Sequence, residues 1–157
     1  MHHSNIIHSM RNQFRRLAIS TLLSKAVNLQ RSSAQTVRGK GKLLNALLIP
    51  DSGVVQIQGM DTRDPENHAT ICTQIGMIFQ RPQDQIVATT VEEDVAFGSG
   101  NLGLTADEIR GSVAFALSTS GLTTYRSKPS YLLSADEIQR LASAGVLAMR
   151  PLCLIFD

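Results

Sequence analysis

Apolar residues recur at helical spacing in two clear places along this chain. Ile109, Val113, Ala116 and Leu117 share one face behind Thr105-Ala106-Asp107-Glu108, whose Thr and Glu stand at capping-box spacing. Gly121 supplies the stop. Ile138, Leu141, Ala142, Gly145, Val146 and Met149 repeat the pattern behind Ser134-Ala135-Asp136-Glu137, and Pro151 lies just past its end. Three other stretches read as strands. Val54 to Gly59 alternates and stops at glycine; Ile75 to Phe79 is a short apolar run broken by Pro82; Leu152 to Asp157 is a buried-type strand ending in a carboxylate. Leu43 to Ile49 closes on Pro50-Asp51-Ser52-Gly53 and predicts a helix end followed by a turn. A polar stretch runs on to about residue 70, Val91 to Phe97 is mixed, and Gly98 to Gly103 reads as a loop. Residues 1–42 show poor periodicity. Short apolar strands interleaved with helices argue an α/β architecture.

Composition adds bounds. The 157 residues suffice for one ordinary domain or a large piece of a bigger one. At 43% hydrophobic residues the chain can build a globular core, and no run of 18 apolar residues predicts a membrane span. Cys72 and Cys153 are the two cysteines, which excludes a disulfide scaffold and a Cys-rich zinc site and suits a reducing compartment. Aromatic residues are 4% with no Trp, which weakens any reading built on base stacking. The net charge of +2 conceals a break: residues 1–50 hold eight Lys/Arg and no Asp or Glu, whereas all thirteen acidic residues lie beyond.

Four segments, in order and at suitable spacing, resemble the nucleotide-binding subunit of ABC transporters. PDSGVVQIQGMDT resembles the turn and strand after the phosphate-binding helix; IGMIFQRPQDQIVATTVEEDVAFG the Q-loop strand and the start of the helical subdomain; LLSADEIQRLASAGVLAMRP the signature motif and its helix; LCLIFD the Walker B strand. The wording QDQIVATTVEEDVAFG and AGVLAMRP is most similar to the cobalt-type and other energy-coupling-factor ATPases, which drive vitamin and metal-ion uptake. The resemblance covers about residues 43–157. It implies a partial P-loop NTPase (ABC ATPase) domain there, with a helical subdomain near residues 88–132 and the N-terminal β subdomain lost, behind an atypical basic segment at 1–42. It implies ATP and Mg²⁺ as cofactors, a second ATPase subunit in a homo- or heterodimer, a transmembrane coupling protein and a substrate-binding membrane component as partners. No nucleic-acid partner is expected. The implied location is peripheral, on the cytoplasmic face of the cell membrane.

The resemblance also places site residues. Gln80 falls on the Q-loop glutamine, which reaches Mg²⁺ and couples the site to the transporter; a strand-end polar residue is the plain alternative. Asp157 falls on the Walker B aspartate, which holds Mg²⁺ through water; a turn residue is the alternative. Gly39-Lys40-Gly41-Lys42 has the residue types of a Walker A loop, in which backbone N–H groups and a Lys meet phosphate, but lacks the full motif spacing. A basic loop is the other reading. The signature, normally Leu-Ser-Gly-Gly-Gln, stands here as Leu133-Ser134-Ala135-Asp136-Glu137. Ser134 keeps the position that meets a γ-phosphate held by the partner. Ala135 replaces a glycine, and Asp136 would put a negative charge beside the triphosphate, at roughly 4 kcal/mol for ~4 Å and an effective dielectric of about 20. The alternative is a simple N-capped helix. In the family, the water-polarising Glu, the D-loop and the switch histidine follow the Walker B aspartate. No intact catalytic set is therefore expected within these residues, and hydrolysis by the chain as given is expected to be very slow.

Two functional readings result: the ATP-binding subunit of an energy-coupling-factor transporter, or a non-catalytic fragment of a decayed gene that at most docks to the membrane coupling protein. For the opening segment, an organelle transit peptide and a nucleic-acid-binding arm both match an Arg-rich, acid-poor composition. A third origin explains its aperiodicity as well. Read one base out of frame, Ile19 to Lys40 permits DINVTIEGGEFAAVLGTNGSGK, which resembles the family's strand and Walker A loop. Residues 1 to about 40 are then an out-of-frame reading of an ordinary N-terminal region. Sequencing the gene checks this: its codons should yield GTNGSGK in the shifted frame, and codons unable to do so end the idea.

Overall fold

The computed structural model describes residues 27–30, 40–50 and 53–156. They fall into two compact units, one taking in the described residues up to Met77 with the strand after Leu152, the other running from Ile78 to Pro151.

In the first unit, β1 (Val27–Gln30), β2 (Val54–Ile57) and β3 (Met60–Asp61) form an antiparallel sheet in that order. Val27 pairs with Ile57 and Gln30 with Val54. Gln58 (φ 51°) and Gly59 (φ 83°) make the two-residue turn from β2 to β3, both in the left-handed region that tight hairpins need. The alternation read along Val54–Ile57 is real: Val55 and Ile57 are buried, their neighbours half-buried.

Helix α1 (Lys40–Leu44) precedes β2. The chain leaves it through Ala46 at φ 60°, and Leu47, Leu48 and Ile49 are exposed, so the apolar run forms a helix end only as far as Leu44. The polar stretch toward residue 70 contains a helix that hydrophobic spacing does not reveal, α2 (Pro65–Gln74). Asp64 caps it, accepting the Glu66 N–H at 3.0 Å, and Pro65 takes the first turn, where its missing N–H costs nothing. Only Ile71 of this helix is buried, so no apolar stripe advertises it. Next come β4 (Ile75–Ile78), buried throughout, and its sheet neighbour β5 (Cys153–Phe156), expected to be of the buried type but half-buried, with Leu152 before it exposed. Ala46, Ile57, Ile71 and Ile75 form this unit's core, with Leu44, Met60 and Ile155 packed against it.

The second unit is built on three helices, α3 (Val91–Gly100), α4 (Ala106–Thr119) and α5 (Ala135–Ala148), each packed on the other two. All three start with a capping box: Thr90 with Glu93, Thr105 with Glu108, Ser134 with Glu137. Val91, Val95, Val113, Leu117, Leu122 and Leu141 are the larger fully buried side chains of the core. The expected loop at 98–103 is corrected: Gly98, Ser99 and Gly100 complete α3. Gly98 serves packing rather than a turn, because a Cβ there would stand 2.7 Å from Met149 Sδ. Ser99 is buried and its hydroxyl donates to Ala96 O at 3.0 Å. Among the described residues no helix is long and apolar enough to cross a membrane.

Leu141 is fully buried at the centre of this helical core. Leu141→Ala should cost about 2–5 kcal/mol, read as a lowered urea midpoint, because neighbouring helices refill such a void only partly.

Candidate functional site

Gln80 is exposed just beyond β4, and side chains downstream hold the segment that carries it. The Phe79 N–H donates to Gln85 Oε1 at 3.0 Å across the 3-10 turn Pro82–Gln85. Further on, the N–H groups of Val87 and Ala88 both donate to Asp94 Oδ1, at 2.7 and 3.0 Å. Asp94 is only 6% exposed, so these bonds form where little water competes. Thr89 and Thr90 hydroxyls donate to Glu93, which holds the Glu93 carboxyl below its usual range.

The same segment is tied to the approach to α5. Ser130 Oγ donates to Ala88 O at 2.7 Å and the Ser130 N–H to Thr89 O at 2.8 Å. The N–H groups of Val91 and Glu92 donate to the carbonyls of Lys128 and Arg126. The Arg126 guanidinium grips the Glu92 carboxylate with two donors, Nε at 2.7 Å and Nη2. That hydrogen-bonded pairing lowers the Glu92 pKa and raises that of Arg126. Residues 86–92 and 126–130 therefore form one hydrogen-bonded strip.

Ser134 sits where that strip enters α5 and is its N-cap. Its hydroxyl accepts the Glu137 N–H at 3.3 Å, and Glu137 Oε2 accepts the Ser134 N–H at 2.7 Å. The Tyr125 hydroxyl also donates to Glu137, and Lys128 Nζ stands 3.8 Å from Glu137 Oε2. The Ser134 N–H foremost, with Tyr125 and Lys128 behind it, holds the Glu137 carboxyl down to about 2 against the cost of desolvation. Asp136 faces Arg140 on the next turn, Oδ2 to Nε at 3.3 Å, while Arg140 Nη1 reaches Gly121 O at 3.2 Å. The charge expected to stand beside a triphosphate is thus shared with a cation of the same helix.

Of the expected phosphate-binding residues, Lys40, Gly41 and Lys42 lie on α1, which has no acidic residue in its first turn. The carboxylates at the start of α5 do not suit an anion. Gly39 and Asp157 lie outside the described residues. Gln80 is the described member of the expected Mg²⁺ pair. No group of three or more His, Cys, Asp or Glu side chains among the described residues is arranged to hold a metal ion.

Sequence reasoning missed Asp94, Ser130 and the Glu92–Arg126 pair. One signal was available, because Thr90 and Glu93 stand at the same spacing as the two capping boxes that were read. Asp94 carried none: an acidic residue in a mixed helix does not show its burial.

The ABC transporter family profile matches residues 38–157. The energy-coupling factor transporter ATP-binding protein EcfA1 of Clostridium novyi is 53% identical over 116 residues, which are 74% of this chain and 41% of that protein. The cobalt import ATP-binding protein CbiO of Syntrophus aciditrophicus is 49% identical over 114 residues, 73% of this chain and 41% of that one. Among solved structures, cbiO1 from Clostridium perfringens, part of the cbiONQ transporter complex, matches with a TM-score of 0.67 at 35% identity, over 74% of this chain and 47% of that chain. An ATP-binding cassette in a dimeric post-hydrolysis state with ADP and phosphate shares the fold, with a TM-score of 0.65 at 24% identity, over 74% of this chain and 53% of that chain. The chain spans about 41% of the length of these curated relatives.

Two outcomes follow from the hydrogen bonds. Asp94→Ala should destabilise the helical unit by about 1–3 kcal/mol, seen in thermal or urea unfolding, because two partly buried N–H groups lose their shared acceptor. Glu137 has its pKa lowered from 4.5 to about 2 by folding, so its stabilisation is present above about pH 4.5 and lost as the pH falls toward 2. The stability difference between wild type and Glu137→Gln should accordingly be largest at neutral pH and shrink across that interval, as urea titrations at each pH would record.

Proposed function

The chain belongs to the ABC transporter family, and from that premise we propose that it is part of the ATP-binding subunit of an energy-coupling-factor transporter that takes up a metal ion or a vitamin. The observation that carries this reading is the 53% identity over 116 residues to an energy-coupling factor ATP-binding protein. It is supported by the pinned loop from Phe79 to Asp94, which holds Gln80 at the end of a buried strand.

In this reading the chain binds ATP with Mg²⁺. Gly39, Lys40, Gly41 and Lys42 meet phosphate, Gln80 and Asp157 reach Mg²⁺, and Ser134 faces a second ATPase subunit. Residues 80–104 grip a transmembrane coupling protein that works with a substrate-binding membrane component, and the subunit lies peripherally on the cytoplasmic face. The ATPase part is residues 43–157 with its helical subdomain near 88–132, behind the atypical basic segment 1–42, of which residues 1 to about 40 are read as out of frame.

A second reading has its own support. The loop around Gln80 is braced at Phe79, Val87 and Ala88, while the start of α5 carries Asp136 and Glu137. A non-catalytic fragment that docks to the coupling protein without nucleotide fits that contrast.

Equilibrium binding of a non-hydrolysable Mg–ATP analogue to the full chain separates the two. Saturable binding that weakens about tenfold or more in Lys42→Ala, the size of one lost charge-assisted contact, supports the ATP-binding subunit. Nucleotide-independent association with the coupling protein in vesicles, with no analogue binding, supports the docking fragment and overturns the first reading.

A further inference from the structure

Three consecutive apolar side chains of the first unit stand in solvent. Leu47, Leu48 and Ile49 are 51%, 47% and 55% exposed. Single exposed apolar residues are ordinary on a folded surface, whereas a run of three calls for something that covers it. The exposure is built into the turn. Asn45 and Ala46 are buried, and Ala46 swings the chain round at φ 60°, in the left-handed region that alanine seldom takes. Asn45 Oδ1 accepts the Leu47 N–H at 3.2 Å, and the Asn45 carbonyl accepts from the Cys72 thiol at 3.2 Å. The Leu48 N–H donates to Lys42 O at 2.9 Å. The turn is thus held from inside by Asn45 and Ala46, while the three residues after them face outward.

Charge decides between the possible covers. Residues 1–50 hold eight Lys/Arg and no Asp or Glu, and the first acid, Asp51, comes two positions after Ile49. A second copy laid on the same turn would bring two basic segments together. An anionic lipid surface accepts both features at once, its acyl chains the Leu and Ile side chains and its phosphates the cations. We propose that Leu47, Leu48 and Ile49 are an apolar tip that enters the headgroup boundary of an anionic bilayer, drawn there by the basic residues that precede it. The contact goes beyond the reading above, in which a coupling protein holds the subunit at the membrane, and it needs neither that protein nor nucleotide. Each Lys or Arg near an anionic surface is worth about fivefold in partitioning. Salt screens that part of the binding and leaves the apolar part.

The test mixes the full chain with protein-free vesicles of phosphatidylcholine, with and without phosphatidylglycerol. The chain has no Trp, so Leu48→Trp puts a single fluorophore on the tip, and Phe115→Trp puts one at an exposed position of α4 as a control. On vesicles containing phosphatidylglycerol, Leu48→Trp emission should shift to the blue and be quenched by brominated acyl chains, and Phe115→Trp should do neither. In flotation, the triple variant Leu47→Ser/Leu48→Ser/Ile49→Ser should bind at least about tenfold more weakly than wild type. Far-UV spectra confirm that each variant is folded. Absence of flotation with phosphatidylglycerol overturns the proposal. So does flotation that the triple variant leaves unchanged and that brings no shift in Leu48→Trp, which is adsorption by charge alone. Equal quenching of Phe115→Trp overturns it as well, because the tip is then not what enters. Self-association without vesicles that the triple variant abolishes assigns the tip to a second copy and overturns it too. Binding of the Mg–ATP analogue plays no part in these outcomes, so the ATP-binding reading stands or falls separately.

Discussion

One buried carboxylate organises the path between β4 and α3. Asp94 lies inside the first turns of α3, and its Oδ1 takes two consecutive backbone N–H groups, those of Val87 and Ala88. A carboxylate fixed this way sets both where the helix begins and where the chain before it runs. Once Ala88 is placed, its carbonyl and that of Thr89 are placed too, and both accept from Ser130. The turn toward α5 follows from there. The position of Gln80 at one end and of Ser134 at the other thus depends on a side chain that touches neither.

Charge is spent differently in the two units. In the helical unit the acids are concentrated in first turns, where they offset helix dipoles and close capping boxes, and their cationic partners come from outside the helix, Arg126 for Glu92 and Lys128 for Glu137, or from the next helical turn, Arg140 for Asp136. Helix α1 has lysines and no acid in its first turn. The change of sign along the sequence thus separates a helix start without acids from three that are rich in them.

Much of this was legible beforehand, and the failures have physical reasons. Helices α4 and α5 were readable because each combines a capping box with an apolar stripe. Strands β2, β4 and β5 were readable because short apolar runs ended at Gly, Pro or a carboxylate. Helix α2 was hidden because it buries one residue, and α3 because its glycines imitate a loop while serving close packing against Met149. For the site, Gln80 and Ser134 could be placed by the motifs around them. The bracing by Ser130 and Arg126 could not, since hydrogen bonds between residues 34 to 42 positions apart leave no local pattern, and Asp94, seven and six positions from Val87 and Ala88, gives no sign of its burial.

The helical unit is one unbroken stretch of chain, from Ile78 to Pro151, whereas the other unit must wait for the chain to come back after Pro151 before its second sheet is complete. Every residue in the helical core lies inside that stretch. That core therefore draws on a single continuous segment, and a chain that has emerged as far as Pro151 already carries every side chain it needs.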